Sequence, residues 1–415
     1  MPVVPYEKDF APDAEGLTVA LSRLIAARSV PGVPHADPAG ELDLPELLPE
    51  DGLGGRGALD LLAGPALEQV SRLDHPGFFA HMDPPTPWPT WAAAMWAAAA
   101  NQNLLSPDTA PTARHLEQIV VDWLAPAFGM DGGHLVPGST LANLTALWAA
   151  RDLTGARTVV ASAAAHLSVA KAAHVLGLEL VEVPVDDRQR MRADLLPDNL
   201  EQAVVVLTAG TVATGAVDPL DTGAGAAWRH VDAAWAGPLR LSAHAGLLAG
   251  IETADSVGMS AHKWLYQPKE AAMVLFARSE AAHQALSFGG SYLAAPNVGL
   301  LGSHGATALP LAATLLAWGR RGIAGRIEAD MDSASLLAQL VNEHDALELW
   351  SPPVTGVVNW RPTVQDPAEV RGRLSDAWVS IADIAGQPWF RSVAANPLAD
   401  PHHVIDRINT ALRAC

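Results

Sequence analysis

Lys263 stands in Met259-Ser260-Ala261-His262-Lys263-Trp264, preceded by small and polar residues and followed by an apolar run at 271–276. A lysine amine forms a Schiff base with an aldehyde, and it must be deprotonated to do so. His262 and nearby positive charge can lower its pKa. Alone, such a lysine is as readily a solvated surface residue. Asp232 adds weight: it closes the apolar run of His230-Val231-Asp232-Ala233-Ala234-Trp235-Ala236-Gly237. An acid at the carboxyl end of a strand sits where open α/β sheets bind ligands. There it can pair with a protonated pyridine nitrogen. Ala234 is small enough to let a flat ring approach the backbone. Read alone, Asp232 is also an ordinary helix cap.

Three more stretches extend the pattern. Pro137-Gly138-Ser139-Thr140-Leu141-Ala142-Asn143 opens a helical segment. Gly, Ser and Thr at a helix start offer N–H groups and hydroxyls to a phosphate. Ala165-His166-Leu167-Ser168 sets a histidine ahead of another helix, where imidazole can stack on a flat ring. Thr208-Ala209-Gly210-Thr211-Val212-Ala213-Thr214-Gly215 can place a hydroxyl at a strand end. Phosphate, pyridine nitrogen and aldehyde coexist in pyridoxal 5′-phosphate (PLP), the cofactor these residues point to.

The elements needed to position these groups are legible. From about residue 132, short apolar runs at 158–161, 179–183, 204–207, 228–232 and 271–276 alternate with helical segments such as 168–176. That texture predicts buried parallel strands in an α/β domain with helices on both faces. Helices are expected at 17–28, 59–73, 91–102, 112–128 and 144–151. The tail carries strand signals at 347–350 and 357–360 and a final helix at 400–413, a small C-terminal α+β domain. The expected division is an N-terminal helical segment 1–74, a large PLP-binding domain 75–325 and the C-terminal domain 326–415.

The order Gly138-Ser139-Thr140, His166, Thr211, Asp232-Ala233-Ala234, His262-Lys263-Trp264 resembles the group II PLP-dependent amino acid decarboxylases. These are fold-type-I enzymes of the aspartate aminotransferase superfamily, and include aromatic amino acid, glutamate and diaminobutyrate decarboxylases. The resemblance covers roughly residues 75–320, and the tail more weakly. It implies a mostly parallel seven-stranded-type central sheet and a homodimer with shared active sites. It also implies decarboxylation of an L-amino acid through an external aldimine formed from Lys263. In that scheme Lys263, His166 and Asp232 are catalytic. Ser139, Thr140 and His262 hold the phosphate, His166 and Ala234 flank the ring, and Thr211 and Ser260 line the site. Ser303 is a phosphate contact from the other subunit, in Leu301-Gly302-Ser303-His304-Gly305, where His304 replaces an arginine common in the family.

His81 and Trp88 fall on a stretch similar to the family's substrate-side loop. Only three tyrosines exist, and Tyr292 is the candidate for the product-protonating tyrosine of the family's mobile loop. Arg391 sits where fold-type-I relatives can bind a substrate carboxylate. A clamped carboxylate favours its retention, so an aminotransferase or another Cα-transforming PLP enzyme stays open beside the decarboxylase. Trp88, Trp91 and Phe79 suit an aromatic or apolar substrate and equally suit a core.

Composition narrows the rest. The 415 residues are 49% hydrophobic and 17% charged, a globular composition, with a formal charge of −19. That charge repels nucleic acid and acidic membranes. The most apolar stretch, 91–100, is too short to span a bilayer. Residues 1–16 show no signal-peptide pattern, and Cys415 is the sole cysteine. A cytoplasmic protein without disulfides is expected. The 15 histidines show no zinc-motif spacing, so no metal is expected. Gly52-Leu53-Gly54-Gly55-Arg56-Gly57 matches the spacing of a dinucleotide loop but follows no strand.

Overall fold

The computed structural model describes residues 10–36, 44–291 and 293–414. Two helices come first, α1 (Ala14–Ser29) and α2 (Gly54–Ala63). The helix expected over 59–73 starts earlier and gives way to a single π turn, Gly64–Glu68, where Pro65 supplies no N–H. A two-residue strand β1 (Phe78–Phe79) precedes α3 (Trp88–Ala100) and α4 (Pro111–Leu124).

The α/β region follows: β2 (Gly132–Val136), α5 (Ser139–Thr154), β3 (Thr158–Ser162), α6 (Leu167–Leu176), β4 (Glu179–Val183), β5 (Ala203–Thr208), β6 (Trp228–Asp232), β7 (Ser256–Ser260) and β8 (Ala272–Phe276). These strands form one seven-stranded sheet in the order β2-β8-β7-β6-β5-β3-β4. Only β8 runs against its neighbours, so the mostly parallel sheet expected from the resemblance is present. Every residue of β5 is buried, as a central strand covered on both faces requires. One core cluster lies between the sheet and α4 and α8, and another between the sheet and α5, α6 and α7.

The chain continues through α7 (Ser279–Ala285), a small hairpin β9 (Ser287–Phe288) and β10 (Asn297–Val298), and the long α8 (Ala308–Asn342), interrupted at Gly319 (φ 60°). Then come β11 (Leu347–Leu349), β12 (Val357–Pro362), α9 (Pro367–Gly372), β13 (Trp378–Ile384), β14 (Gln387–Val393) and α10 (Pro401–Arg413). A second sheet has the order β1-β13-β14-β12-β11, with β1 parallel to β13. Phe78–Phe79 therefore belongs to the sheet of the C-terminal part. No helix among the described residues is long and apolar enough to cross a membrane.

Candidate active site

Strand ends and helix starts converge on a cavity of about 230 Å³ beside the carboxyl end of β6. Its lining includes Ser139, Thr140, His166, Asp232, Ala234, Ser260, His262 and Lys263, eight positions singled out in the sequence. It also includes Met82, Gly138, Thr208, Gly210, Val212 and Trp235.

Lys263 lies on a tight turn after β7. His262 N donates to the Ala271 carbonyl, Tyr266 N to that of Lys263 and Gln267 N to that of Ala261. Tyr266 takes a left-handed conformation (φ 58°), unusual for a bulky residue. Its neighbours anchor the turn. The fully buried Trp264 stacks on Trp235 with centroids 4.2 Å apart. Its Nε1 donates to Asp330 Oδ2 at 2.9 Å and to the Ala394 carbonyl at 3.1 Å. Tyr266 Oη donates to the same Asp330 oxygen at 2.6 Å. With the aromatic residues drawn into the core, Lys263 is left facing the cavity. Burial lowers its pKa, the charge of Asp232 opposes the shift and Arg391 adds to it. A lysine held below its usual range supplies the neutral amine that attack on an aldehyde needs.

Asp232 ends β6 and is almost fully buried. Its Oδ2 accepts from Asn143 Nδ2 at 2.8 Å and its Oδ1 from the Ala234 amide at 3.1 Å. His166 caps α6: its Nδ1 accepts from Ser168 N at 3.2 Å and meets Ser168 Oγ at 2.7 Å. Burial lowers the His166 pKa against the pull of Asp232.

The N-terminus of α5 faces the same space. Gly138 at φ 92° makes the bend from β2 into the helix, a conformation that favours glycine. Ser139 Oγ is hydrogen-bonded to Ser260 Oγ. His262 Nδ1 donates to the Ala271 carbonyl at 3.0 Å, and burial pushes its pKa down to about 4. The neutral ring thus offers Nε2 as a lone pair, and it would donate to a phosphate only after taking up a proton.

Other expected positions lie elsewhere. Thr211 does not line the cavity. Its hydroxyl pairs with Thr214 Oγ1 at 2.9 Å and accepts from the Ala216 amide, folding the loop while Val212 faces inward. Trp88 is 73% exposed and opens α3, and Phe79 is buried in the C-terminal core. Neither forms an aromatic wall in this chain. His81 is exposed. Ser303 is also exposed and accepts from Asn103 Nδ2 at 3.2 Å, away from the cavity. Arg391 is buried, with burial pushing its pKa down to about 10. Its Nε donates to the Val212 carbonyl at 2.6 Å, and its Nη1 to the Ala80 carbonyl and Ser380 Oγ, so it ties three segments at the edge of the site. Tyr292 lies outside the described residues.

His75, Asp376 and His403 gather outside this site. Their protons are accounted for: His75 Nδ1 accepts from the Gly77 amide, and His403 Nε2 faces the Asp376 carbonyl at 2.8 Å. Both Nε2 atoms therefore carry hydrogen toward Asp376, which makes the cluster a tie between segments.

The lining fits PLP. Thr208 Oγ1 is buried and has no hydrogen-bond partner, a donor awaiting an acceptor in the cavity. A helix N-terminus, an acid, a small residue and a neutral lysine lie round the same space.

Residues 66–362 match the pyridoxal-dependent decarboxylase conserved domain. An L-2,4-diaminobutyrate decarboxylase of Rhizobium meliloti (strain 1021) is 31% identical, covering 95% of this chain and 89% of the relative. An aspartate 1-decarboxylase of Aliivibrio fischeri (strain ATCC 700601 / ES114) is 30% identical over 73% of this chain and 66% of its own length. Among solved structures, an Oryza sativa TDC with PLP and tryptamine superposes with a TM-score of 0.84 at 21% identity, covering 100% of this chain and 98% of that one.

Proposed function

The chain belongs to the family of pyridoxal-dependent amino acid decarboxylases, and from that premise we propose that it removes the α-carboxylate of an L-amino acid, using PLP carried on Lys263. The observation that carries the reading is the single cavity uniting Lys263, Asp232, His166 and the start of α5. PLP, when bound, takes up the electron pair released at Cα as the bond to the carboxylate breaks.

The chain's own side chains do the rest. Lys263 supplies the neutral amine that holds the aldehyde carbon. Asp232 stands to keep a proton on the ring nitrogen. His166 and Ala234 fix the plane of the ring from its two faces. The amides of α5, with the hydroxyls of Ser139, Thr140 and Ser260, hold the phosphate. His262 joins them on taking up a proton, and Thr208 Oγ1 donates into the cavity in the place expected of Thr211.

The relatives act, by their names, on diaminobutyrate and aspartate. The displaced Trp88 and Phe79 weigh against the aromatic or apolar substrate, while an aromatic-L-amino-acid decarboxylase among the relatives weighs for it. A homodimer with shared sites is part of the proposal. Leu17, Leu21, Ile25, Leu59 and Leu62 on α1 and α2 are all exposed, an apolar surface that a second copy would cover. Ser303 and Tyr292 would then serve the partner's site. The sparse cysteine content supports a cytoplasmic location, and the three-part division at 74/75 and 325/326 goes with the same proposal, except that Phe78–Phe79 pairs into the C-terminal sheet.

The test is the visible spectrum of the purified protein before and after borohydride, with Lys263→Ala beside it, followed by a screen of L-amino acids for CO2 and amine. The expected result is a borohydride-sensitive band absent from the variant, and CO2 release lost with it. A keto acid without CO2 would replace the decarboxylase by an aminotransferase, and a protein that takes up no PLP would end the proposal.

A further inference from the structure

Behind Asp232 runs a line of buried side chains that the chemistry does not touch. Trp228 Nε1 donates to Ser256 Oγ at 2.8 Å, and Ser256 Oγ meets His230 Nδ1 at 2.9 Å. His230 Nε2 meets Asn143 Oδ1 at 3.0 Å. Asn143 Nδ2 reaches Asp232 Oδ2 and Ser168 Oγ, both at 2.8 Å. Ser168 Oγ meets His166 Nδ1 at 2.7 Å. Asn143, Ser168, His230 and Ser256 are all fully buried, so water cannot substitute for a missing link.

Every proton in this line has one place. An indole can only donate, so Ser256 accepts from Trp228 and keeps its own proton for one further acceptor. From the other end, Asp232 uses both oxygens as acceptors, which turns the Asn143 amide nitrogen toward it. The Asn143 carbonyl then faces His230 Nε2, which donates to it, and the neutral ring accepts the Ser256 proton on Nδ1. Ser168 accepts from Asn143 and donates to His166 Nδ1, where the Ser168 amide also points at 3.2 Å. The ring proton of His166 is left on Nε2, which has no hydrogen-bond partner among the described residues.

Two observations show that the line is built in. Burial pushes the His230 pKa down to about 4, so the ring is neutral where the scheme needs it neutral. Gly258, on the neighbouring strand, leaves the room: a Cβ there would stand 3.1 Å from Asn143 Oδ1 and 3.5 Å from His230 Cε1.

We propose that Asn143 is a positioning residue that orients Asp232 and, through the Ser168 hydroxyl, joins the Ser168 amide in holding the ring proton of His166 on Nε2, facing the cofactor cavity. His166 is then a hydrogen-bond donor toward whatever occupies the cavity, as well as a stacking surface. The inference rests on the PLP reading above. The charged groups around His166 are Asp232, Lys263 and Lys171, and none of the variants below removes them.

Asn143→Asp keeps the shape and the acceptor for His230 but turns an oxygen toward Asp232 and Ser168. Titration of the apo-protein with PLP is expected to show a Kd raised about ten- to hundredfold, the range in which outer partners of a site act. Ser168→Ala leaves the Asp232 arm intact, and its Kd is expected within about twofold of wild type. In that variant the Ser168 amide still points at Nδ1, so nitrogen-15 spectra of histidine-labelled protein, with His166 assigned through His166→Gln, are expected to keep Nε2–H but to show the Nδ1 resonance shifted by loss of the hydroxyl proton. Asn143→Asp binding PLP as tightly as wild type, or a His166 Nδ1 resonance unmoved by Ser168→Ala, overturns the inference. If Asn143→Asp does not fold, the Ser168→Ala spectrum decides. Wild type failing to bind PLP would instead remove the cofactor reading.

Discussion

Two buried carboxyl groups lie on opposite sides of the turn carrying Lys263 and are satisfied in opposite ways. At the front, Asp232 receives a backbone amide and the amide of Asn143, backed by a His230 that burial keeps neutral down to about pH 4. At the rear, one oxygen of Asp330 takes both the Trp264 indole and the Tyr266 hydroxyl, and burial pushes its pKa up to about 7. The sign of the pH response differs accordingly. His230 has a depressed folded value, so its contribution to stability is present above its ordinary value of 6.5 and is lost as pH falls through about 4. Asp330 has a raised one, so its contribution is present below its ordinary value of 3.8 and is lost as pH rises through about 7. The front yields to acid and the rear to base. The front faces the chemistry, and the rear only holds the turn that faces it.

The contrast can be broken most directly by exchanging each acid for its amide. Asp232→Asn is expected to lower kcat/KM by about a hundredfold or more, some 2.7 kcal/mol of barrier. Asp330→Asn, which still accepts from both aromatic donors, should stay within about tenfold. Steady-state rates of the two purified variants decide it, and equal losses would erase the distinction between front and rear.

Melting curves sharpen it next. Asp330→Asn removes a titrating group, so it should gain on wild type as pH rises from 5 to 8, by on the order of 2–4 kcal/mol. A gain of the same size at both pH values would mean that Asp330 does not titrate in that window. The smallest effect is expected from Trp264→Phe. It keeps a ring against Trp235 but leaves the Ala394 carbonyl without its donor, at a cost of roughly 1–3 kcal/mol by denaturant unfolding. The loss should be larger at neutral than at acid pH, because the Trp264 indole also favours the ionised form of Asp330.

The front was more legible in the sequence than the rear. Asp232, His166 and Ser139 each stand at the end of a strand pattern or the start of a helix, and Lys263 stands ahead of the apolar run at 271–276, so local rules are sufficient to place them. His230 also left a signal: two residues before Asp232 on one strand, it must share that face of the sheet. Its partner Asn143 lies 87 residues away, and no periodicity joins them. Strands β2 and β7, Gly-Gly-His-Leu-Val and Ser-Val-Gly-Met-Ser, escaped the pattern because glycine is a poor strand former. Their burial between neighbours decides their conformation. Strands β13 and β14 were also missed, although Ala385 and Gly386, both at positive φ, make the tight turn that joins them. Thr211 and Val212 exchange roles because the loop after β5 turns back on itself through Thr214, a matter of three-dimensional closure. Asp330 gave no signal, since it contacts the turn from across 66 residues of α7, hairpin and α8.

The small strand β1 also governs the order in which the chain can be completed on the ribosome. It pairs with β13, and the Ala80 carbonyl beside it accepts from Ser380, 300 residues later. At about 5–20 residues per second of synthesis, Phe78 and Phe79 wait roughly 15–60 s for their partner strand. Until then two large apolar side chains and an unpaired strand edge are open to other contacts. The sheet that closes over the Arg391 edge of the site is therefore among the last parts of the nascent chain to form. A chain cut short before residue 378 would leave that edge without its cover.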